Sequence, residues 1–391
     1  MRLLLVVPRI ISYRGFLREL GSALAADGVE VHVACGLRNL AGDGESGDED
    51  GVVLHHLDFT RGMHPTAHLR AARALNRLVE QLRPDVVHAH FSAAIFTTAL
   101  ARTSRWPTTL GTIHGVAFLA LHGWKAWLLR VTETWAAQRL DAVWVLTEDD
   151  RAGLSAAAPG AVVHTLPGFG VGCDLEKFAV PGPAERAARR AALGVKPEEM
   201  VFAFVGRFTA FKGFDLVVRA FQQLAAVNPA ARLLLIGERD HLHPTGLTPA
   251  EKGALQNSPR VIDTGYRDDV ERFLAAADIT VFPSSREGMP VCLMESLALG
   301  VPAITCETRG CREVVRDGVD GLVLRERNVA ALRAAMQHAA EDPASRQRWS
   351  LAAIAGRERF SRDRFVAEQK RLYETCVSAA SGGEAIFAVA R

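Results

Sequence analysis

The chain has 391 residues, 49% of them hydrophobic and 23% charged, and its 46 basic and 44 acidic side chains leave a formal charge of +2. That length is about twice a common domain, enough for two domains with a core each, and the near balance of charge gives no reason to expect a nucleic-acid partner. The opening MRLLLVVPRI has five consecutive apolar residues after Arg2, too few for a secretion signal, and no stretch approaches the roughly 18 apolar residues of a spanning helix. A cytoplasmic protein is expected. Its six cysteines, Cys35, Cys173, Cys292, Cys306, Cys311 and Cys376, form no CxxC pair and no His–Cys ligand spacing. They read as reduced, mostly buried thiols rather than a zinc site.

In chain order, the pattern predicts a strand at 3–7, a helix at about 15–26, a strand at 29–34, a helix at about 67–82 and a strand at 86–90. This βαβ rhythm belongs to a parallel sheet covered on both faces. Residues 42–51, GDGESGDEDG, read as a solvated loop without chemistry. The rhythm pauses where VPGPAERAARRAALGVKP (180–197) combines Pro and Gly breaks with a charged helical piece, and it restarts at Met200. Further strands are expected at 232–237, 261–264, 279–283 and 302–305. The reading is an N-terminal domain at 1–180, a linker at 181–199 and a C-terminal domain at 200–391, with the last helix free to return to the first domain. The tail SAASGGEAIFAVAR begins flexible and offers Ile386 and Phe387 for docking. The expected fold class is α/β, with two doubly wound Rossmann-like parallel-sheet domains facing a cleft and ligands outside the carboxyl ends of the strands.

Two segments of the second half carry chemistry. In VFAFVGRFTAFKG (201–213) a buried strand ends at Gly206, and Arg207 and Lys212 follow at its carboxyl end, where they could neutralise a diphosphate without a metal. In VFPSSREGMPVCLMESLALG (281–300) a strand enters a Pro/Ser/Gly loop and then a helix that begins about Pro290. The N–H groups around Gly288 and Met289 and the positive end of that helix can receive a diphosphate or the polar edge of a sugar. Glu287 and Glu295, eight residues apart, could then hold two different sets of hydroxyls. In the first half, His114 follows a strand within TIHG, and His88 and His90 close the strand VVHAH. No third ligand accompanies that H-x-H pair, so His90 reads as lining the site and not as binding metal.

The set Arg207-x4-Lys212-Gly213, GYRDD (265–269) and PSSREGMPVCLMESLALGVPAITCETRGCREVVRDGVDGLV (283–323) resembles the retaining glycosyltransferases of family 4, which have the GT-B fold. The likeness is strong from about 201 to 323 and weaker but continuous elsewhere. It implies that Arg207 and Lys212 bind the donor diphosphate beside Gly206 and stabilise the leaving group. It also implies that Glu287 holds the donor sugar together with the backbone of Gly288, Met289, Pro290 and Val291, and that Glu295 holds the ribose. The loop of Gly265, Tyr266 and Arg267 would contact the base, and His114 would lie beside the donor sugar. Where many members of that family carry a Gly-Gly pair after the first strand, this chain has PRIISYRGFLREL, with Gly15 alone. Such a loop, and GCREVVRDGVDG (310–321), resemble the subgroup acting on undecaprenyl-diphosphate-linked sugars, which makes Arg14 and Gly15 candidate acceptor contacts, with His90 as a third. Residues 116–139 mix Phe118, Leu119, Leu121, Trp124, Trp127 and Leu128 with Lys125 and Arg130, a composition suited to the membrane interface as well as to a packed helix.

The expected activity is transfer of a hexose or N-acetylhexosamine, with retention, from a UDP-sugar to a lipid-linked or glycan acceptor in bacterial cell-surface polysaccharide or glycoconjugate synthesis. No cofactor and no metal is expected, and the partners are the nucleotide-sugar donor, the acceptor and a peripheral contact with the cytoplasmic membrane face. A nucleotide-sugar 2-epimerase and a non-catalytic sugar-nucleotide-binding subunit are the alternatives. The second is disfavoured by the presence of Arg207, Lys212 and Glu287 together.

Overall fold

The computed structural model describes residues 1–37, 46–59, 64–240 and 242–382, so Ile386, Phe387 and the first part of the acidic segment lie outside the described residues. It divides into two compact units, Met1–Val171 joined by the chain from Asp363 onward, and Gly172–Arg362. The fold is GT-B, each unit being a Rossmann-like layer of parallel sheet and helices.

The first unit contains β1 (Arg2–Arg9), β2 (Glu30–Gly36), β3 (Ser46–Glu49), β4 (Val52–His56), β5 (Val86–His90), β6 (Thr108–Ile113), β7 (Ala142–Val145) and β8 (Val163–Thr165). They lie in the order β3-β4-β2-β1-β5-β6-β7-β8, parallel except for β3. The run 3–7 of β1 is fully buried, as a central strand covered on both faces requires. Helix formation starts earlier than the expected Gly15. Ile10, Tyr13, Leu17, Leu20 and Leu24 make one buried stripe at helical spacing, carried by two helices, Ile10–Phe16 and Arg18–Ala26, that meet at Leu17. The last helix, Arg362–Gly382, buries Phe365, Tyr373 and Cys376 and is grouped with this unit from Asp363 on.

The acidic segment is not loop throughout. Glu49 pairs with Val52 across Asp50 and Gly51, both at positive φ (57° and 77°), so a two-residue turn closes the β3–β4 hairpin. Asp-Gly is the sequence signal for such a turn, and the acidic composition around it hid the signal.

The second unit contains β9 (Met200–Val205), β10 (Ala231–Ile236), β11 (Val261–Asp263), β12 (Ile279–Phe282), β13 (Ala303–Cys306) and β14 (Gly321–Leu324), all parallel, in the order β11-β10-β9-β12-β13-β14. Its helix Phe214–Val227 buries Phe214, Val217, Val218, Phe221 and Leu224. Each such side chain contributes roughly 1.5–3 kcal/mol on burial.

The expected linker at 181–199 is instead an integral part of this unit. Pro183–Ala192 is a helix whose Arg186 and Arg190 donate to the Asp278 carboxylate at 2.7 and 3.1 Å, and Asp278 also accepts the Val201 N–H at 2.8 Å. The arginine charge concealed a packed face, because long stems can be buried while the guanidinium finds its partner. The unit boundaries fall at 171/172 and 362/363.

In both sheets the chain departs from a central strand, runs to one edge, and then fills the other side. The reversal points are between β1 and β5 and between β9 and β12. Ligands of doubly wound sheets bind outside the carboxyl ends at these points.

Candidate active site

In the second unit the reversal point brings two distant segments into contact. After β9 come Gly206, Arg207, the short 3-10 turn Ala210–Lys212 and Gly213. Gly213 has φ 79°, and a Cβ there would lie 2.4 Å from the carbonyl oxygen of Pro283. Only glycine lets the turn come so near the loop after β12. The Phe211 carbonyl then accepts the Ser285 N–H at 2.8 Å and the Ser285 and Ser284 hydroxyls at 3.0 and 3.2 Å. Arg327 holds the same two strands' ends, donating to the carbonyls of Pro283 (2.7 Å) and Ala210 (2.8 Å). The outcome is a short ion pair between Lys212 Nζ and Glu287 Oε1, 2.6 Å apart, with both side chains largely buried.

Arg207 is more open, with 52% of its side chain exposed, and pairs with Asp240. The Asp240 carboxylate also accepts the Leu242 N–H at 2.9 Å and lies 3.0 Å from His243 Nδ1. These hydrogen bonds and the Arg207 charge hold its pKa down at about 2. Beyond Glu287, Gly288 and Met289 lead to Pro290, which is the N-cap rather than the first residue of the helix Val291–Ala298. The opening N–H groups of such a helix have no partner within it. Glu295 stands one turn in, half-buried, and burial pushes its carboxyl up to about 7 against the opposing charges of Arg362 and Lys177.

Tyr266 and Arg267 lie past β11, two strands from β9. Tyr266 is 65% exposed, whereas Arg267 pairs with Asp269 (2.9 Å) and covers the Phe273 ring. The second unit therefore gathers Gly206, Arg207, Lys212, Glu287 and the Gly288–Val291 backbone at one end of its sheet. Asp240, Phe211 and Arg327 were missed from the sequence. Nothing local marks an aspartate or an arginine as the partner of a group tens of residues away.

In the first unit β6 ends at Ile113, His114 comes next, and Gly115 follows with φ 122°, a conformation that explains the glycine of TIHG. Two buried carboxylates secure the turn beyond it. Asp150 accepts the Val116 N–H at 3.0 Å, and Glu133 accepts those of Ala117 and Phe118 at 3.2 and 3.3 Å. His114 is stacked on Phe91, ring centroids 4.2 Å apart, with Phe16 at its edge. Phe91 itself has φ 71°, a strained conformation for a bulky residue, held by its N–H to the Thr112 carbonyl (3.0 Å).

His90 does not line a surface. It is 1% exposed, and its Nδ1 lies 3.3 Å from His114 Nε2. His88, behind it, contacts Tyr373 Oη and Thr112 Oγ1, both at 2.8 Å. Burial lowers all three imidazoles, His88 to about 3 and His114 to about 4. Arg14 is helical and forms a forked pair with Glu49 of the β3–β4 hairpin at 2.8–3.1 Å, so an acceptor phosphate would have to compete with that carboxylate. Gly15 is helical with open space beside it. Trp124 (71%) and Trp127 (65%) on the helix Gly123–Gln138 are exposed, as are Leu119 and Val131, whereas Trp135 packs on Phe96.

All six cysteines are free, five of them buried. Among the described residues no group of three or more His, Cys, Asp or Glu could hold a metal ion, and no helix is long and apolar enough to cross a membrane.

Fold and site together define a GT-B protein with a charged cluster at the β9/β12 reversal point of its second unit. Residues 14–168 match the family described as Glycosyl transferase 4-like domain, and residues 185–355 that described as Glycosyl transferases group 1. The chain is thus similar to group 1 glycosyltransferases over its second unit and to the 4-like domain over its first. It is 28% identical over 312 residues to EpsD of Bacillus subtilis (strain 168), a provisionally assigned glycosyltransferase, covering 78% of this chain and 80% of that one. It is 29% identical over 266 residues to the D-inositol 3-phosphate glycosyltransferase of Mycobacterium marinum, covering 64% of this chain but only 54% of that protein. Among solved structures, sucrose-phosphate synthase from Thermosynechococcus elongatus superposes with a TM-score of 0.81 at 20% identity, over 97% of this chain and 100% of that one. Anabaena Alr3699/HepE in complex with UDP and glucose does so with a TM-score of 0.77 at 16% identity, over 95% and 99%.

Proposed function

We propose that this protein is a retaining transferase that moves a hexose or N-acetylhexosamine from a UDP-sugar to a lipid-linked or glycan acceptor in bacterial cell-surface polysaccharide or glycoconjugate synthesis. The observation that carries the reading is the Lys212–Glu287 pair beside Arg207 at the β9/β12 reversal point. Two cations there can take up the charge that develops on a departing diphosphate, which is most of what glycosyl transfer demands. Glu287, next to the half-buried Gly288 and Met289, is assigned to sugar hydroxyls, Glu295 to the ribose, and the Gly265–Arg267 loop to the base. His114 is assigned to the transferred sugar, and Arg14 to an acceptor phosphate. Uridine as the base is supported by the HepE complexes with UDP and with UDP-glucose.

In the reaction the bond between the anomeric carbon and the diphosphate oxygen breaks, and a bond from the acceptor oxygen to that carbon forms on the same face. The acceptor proton passes to the released diphosphate. No divalent metal is assigned a role, since Arg207 and Lys212 supply the positive charge. The exposed Trp124, Trp127 and Lys125 are assigned to weak contact with an anionic membrane face, where a polyprenyl-linked acceptor would be met.

The test is incubation with UDP-, GDP- and ADP-sugars, scored by nucleotide release with and without lipid-diphosphate sugars, before and after exhaustive chelation. Acceptor-dependent release of UDP, unaffected by chelation, with the product's anomeric configuration unchanged by NMR, is expected. Sugar-nucleotide isomers formed without acceptor would point to an epimerase. Absence of any turnover with tight nucleotide binding would point to a binding subunit.

A further inference from the structure

The Phe211 ring is a hub that the donor-site roles above leave unexplained. The Arg286 guanidinium carbon lies 4.5 Å from its centroid, that of Arg207 5.4 Å and Lys212 Nζ 5.9 Å, while His243 meets its edge at 5.3 Å. Three cations around one half-buried phenyl ring repel one another, and the ring's electron-rich faces offset part of that cost. Carboxylates offset the rest unevenly. Arg207 has Asp240 and Lys212 has Glu287, but among the described residues Arg286 has no carboxylate partner. Its backbone is nevertheless held in place, because the Arg286 carbonyl accepts the Ser284 hydroxyl at 3.3 Å in the same turn that is tied to the Phe211 carbonyl. The cluster of three cations and two carboxylates is thus left one positive charge in excess, at the end of the sheet where an anion is expected to bind.

We infer that Arg286 is a third cation for the donor's diphosphate and that Phe211 is the platform positioning Arg286 and Arg207 toward it. This rests on the second unit's being the nucleotide-sugar site. Arg207 and Lys212 each arrive with a carboxylate attached, so their charge is partly spent before ligand binds. Arg286 brings a guanidinium fork with no such competitor, and a fork suits two phosphate oxygens at once. Phe211 acts through the arginines and not on the substrate. Replacing it should disturb the diphosphate while leaving nucleoside recognition alone.

Calorimetry of full-length wild type, Arg286→Gln, Phe211→Leu and Phe211→Tyr with UDP, GDP, ADP and uridine tests this. For the diphosphate that the wild type takes up, Arg286→Gln should weaken binding about tenfold, the usual worth of one charged hydrogen-bonded contact, and should reduce the salt dependence of binding. Phe211→Leu should give a smaller loss in the same direction, and Phe211→Tyr, which keeps the aromatic face, should restore it. Uridine binding should be unchanged throughout. Wild-type diphosphate affinity retained in Arg286→Gln would overturn the proposal and leave the site reading intact, as would an equal loss for uridine and UDP. A wild type that binds none of the three diphosphates would overturn the site reading, and the proposal with it. Arg286→Gln changes a half-buried loop side chain without a partner carboxylate, so the test stands even if Phe211→Leu does not fold.

Discussion

The two reversal points share a topology and differ in electrostatics. At the first unit's, the strand ends carry imidazoles held among neighbouring side chains: His88 and His90 are buried, and His114 stacks on Phe91. At the second unit's, three cations, Arg207, Lys212 and Arg286, surround one aromatic ring, and Asp240 and Glu287 pair with the first two. The same chain path can therefore present a desolvated imidazole or a cationic cluster, and the function follows from those side chains and not from the fold. Charge on a diphosphate would be received by the second unit, while neutral imidazoles suit hydroxyl groups.

The largest effects should come from that charged cluster. Lys212→Ala and Arg207→Ala should each lower turnover by roughly two or more orders of magnitude, as for loss of a preorganised charge at a leaving group. His114→Ala in the neutral region should cost less, on the order of tenfold, and steady-state kinetics on the three variants decides whether the contrast holds. If all three lose activity equally, the division of charge handling between the regions is wrong.

The next prediction separates the two glutamates. Glu295→Ala should weaken free UDP and UDP-sugar alike, because both carry the ribose, whereas Glu287→Ala should weaken the sugar nucleotide far more. Titration calorimetry of both variants with both ligands measures this. Equal losses for the two ligands in Glu287→Ala would reject its assignment to the sugar.

Opposite responses to pH would sharpen the comparison further. His88 and His114 have folded pKa values below the ordinary 6.5, so the unfolded chain binds more protons and the first unit should lose stability as pH falls below about 6.5. Buried Glu133, whose carboxyl is raised, works against this trend. Glu295 is raised to about 7, so its ionisation should cost the second unit stability as pH rises from about 4.5 to 7. Amide exchange between pH 5 and 7, corrected for intrinsic rates, should show β5 and β6 opening more at the acid end and the helix Val291–Ala298 opening more at the neutral end. Glu295→Gln should abolish the second trend, and identical slopes in both regions would contradict the assignment.

The smallest effect concerns the surface. A Trp124→Ser, Trp127→Ser, Lys125→Glu variant should float less well with anionic vesicles and retain full activity on a water-soluble acceptor analogue. Equal flotation would return these side chains to an ordinary exposed helix face.

The sequence by itself determined the fold class and the location of the charged site. Apolar runs alternating with helical stripes are local patterns, and Arg207, Lys212, Glu287 and Glu295 lie in short motifs whose strand-to-helix placement can be read from neighbouring residues. What only the tertiary structure decided were the partners. Lys212 meets Glu287 because Gly213 lets one loop touch another, Arg207 meets Asp240 across 33 residues, and Arg14 meets a glutamate on a hairpin. Burial was decided there as well: His90 sits behind His114, and the arginine-rich helix Pro183–Ala192 is fastened to the second sheet by Asp278. Periodicity and turn propensity act over a few residues and leave a trace in the chain. Ion pairing and desolvation depend on which distant segments the sheet order brings together, and that order appears only when the chain is folded.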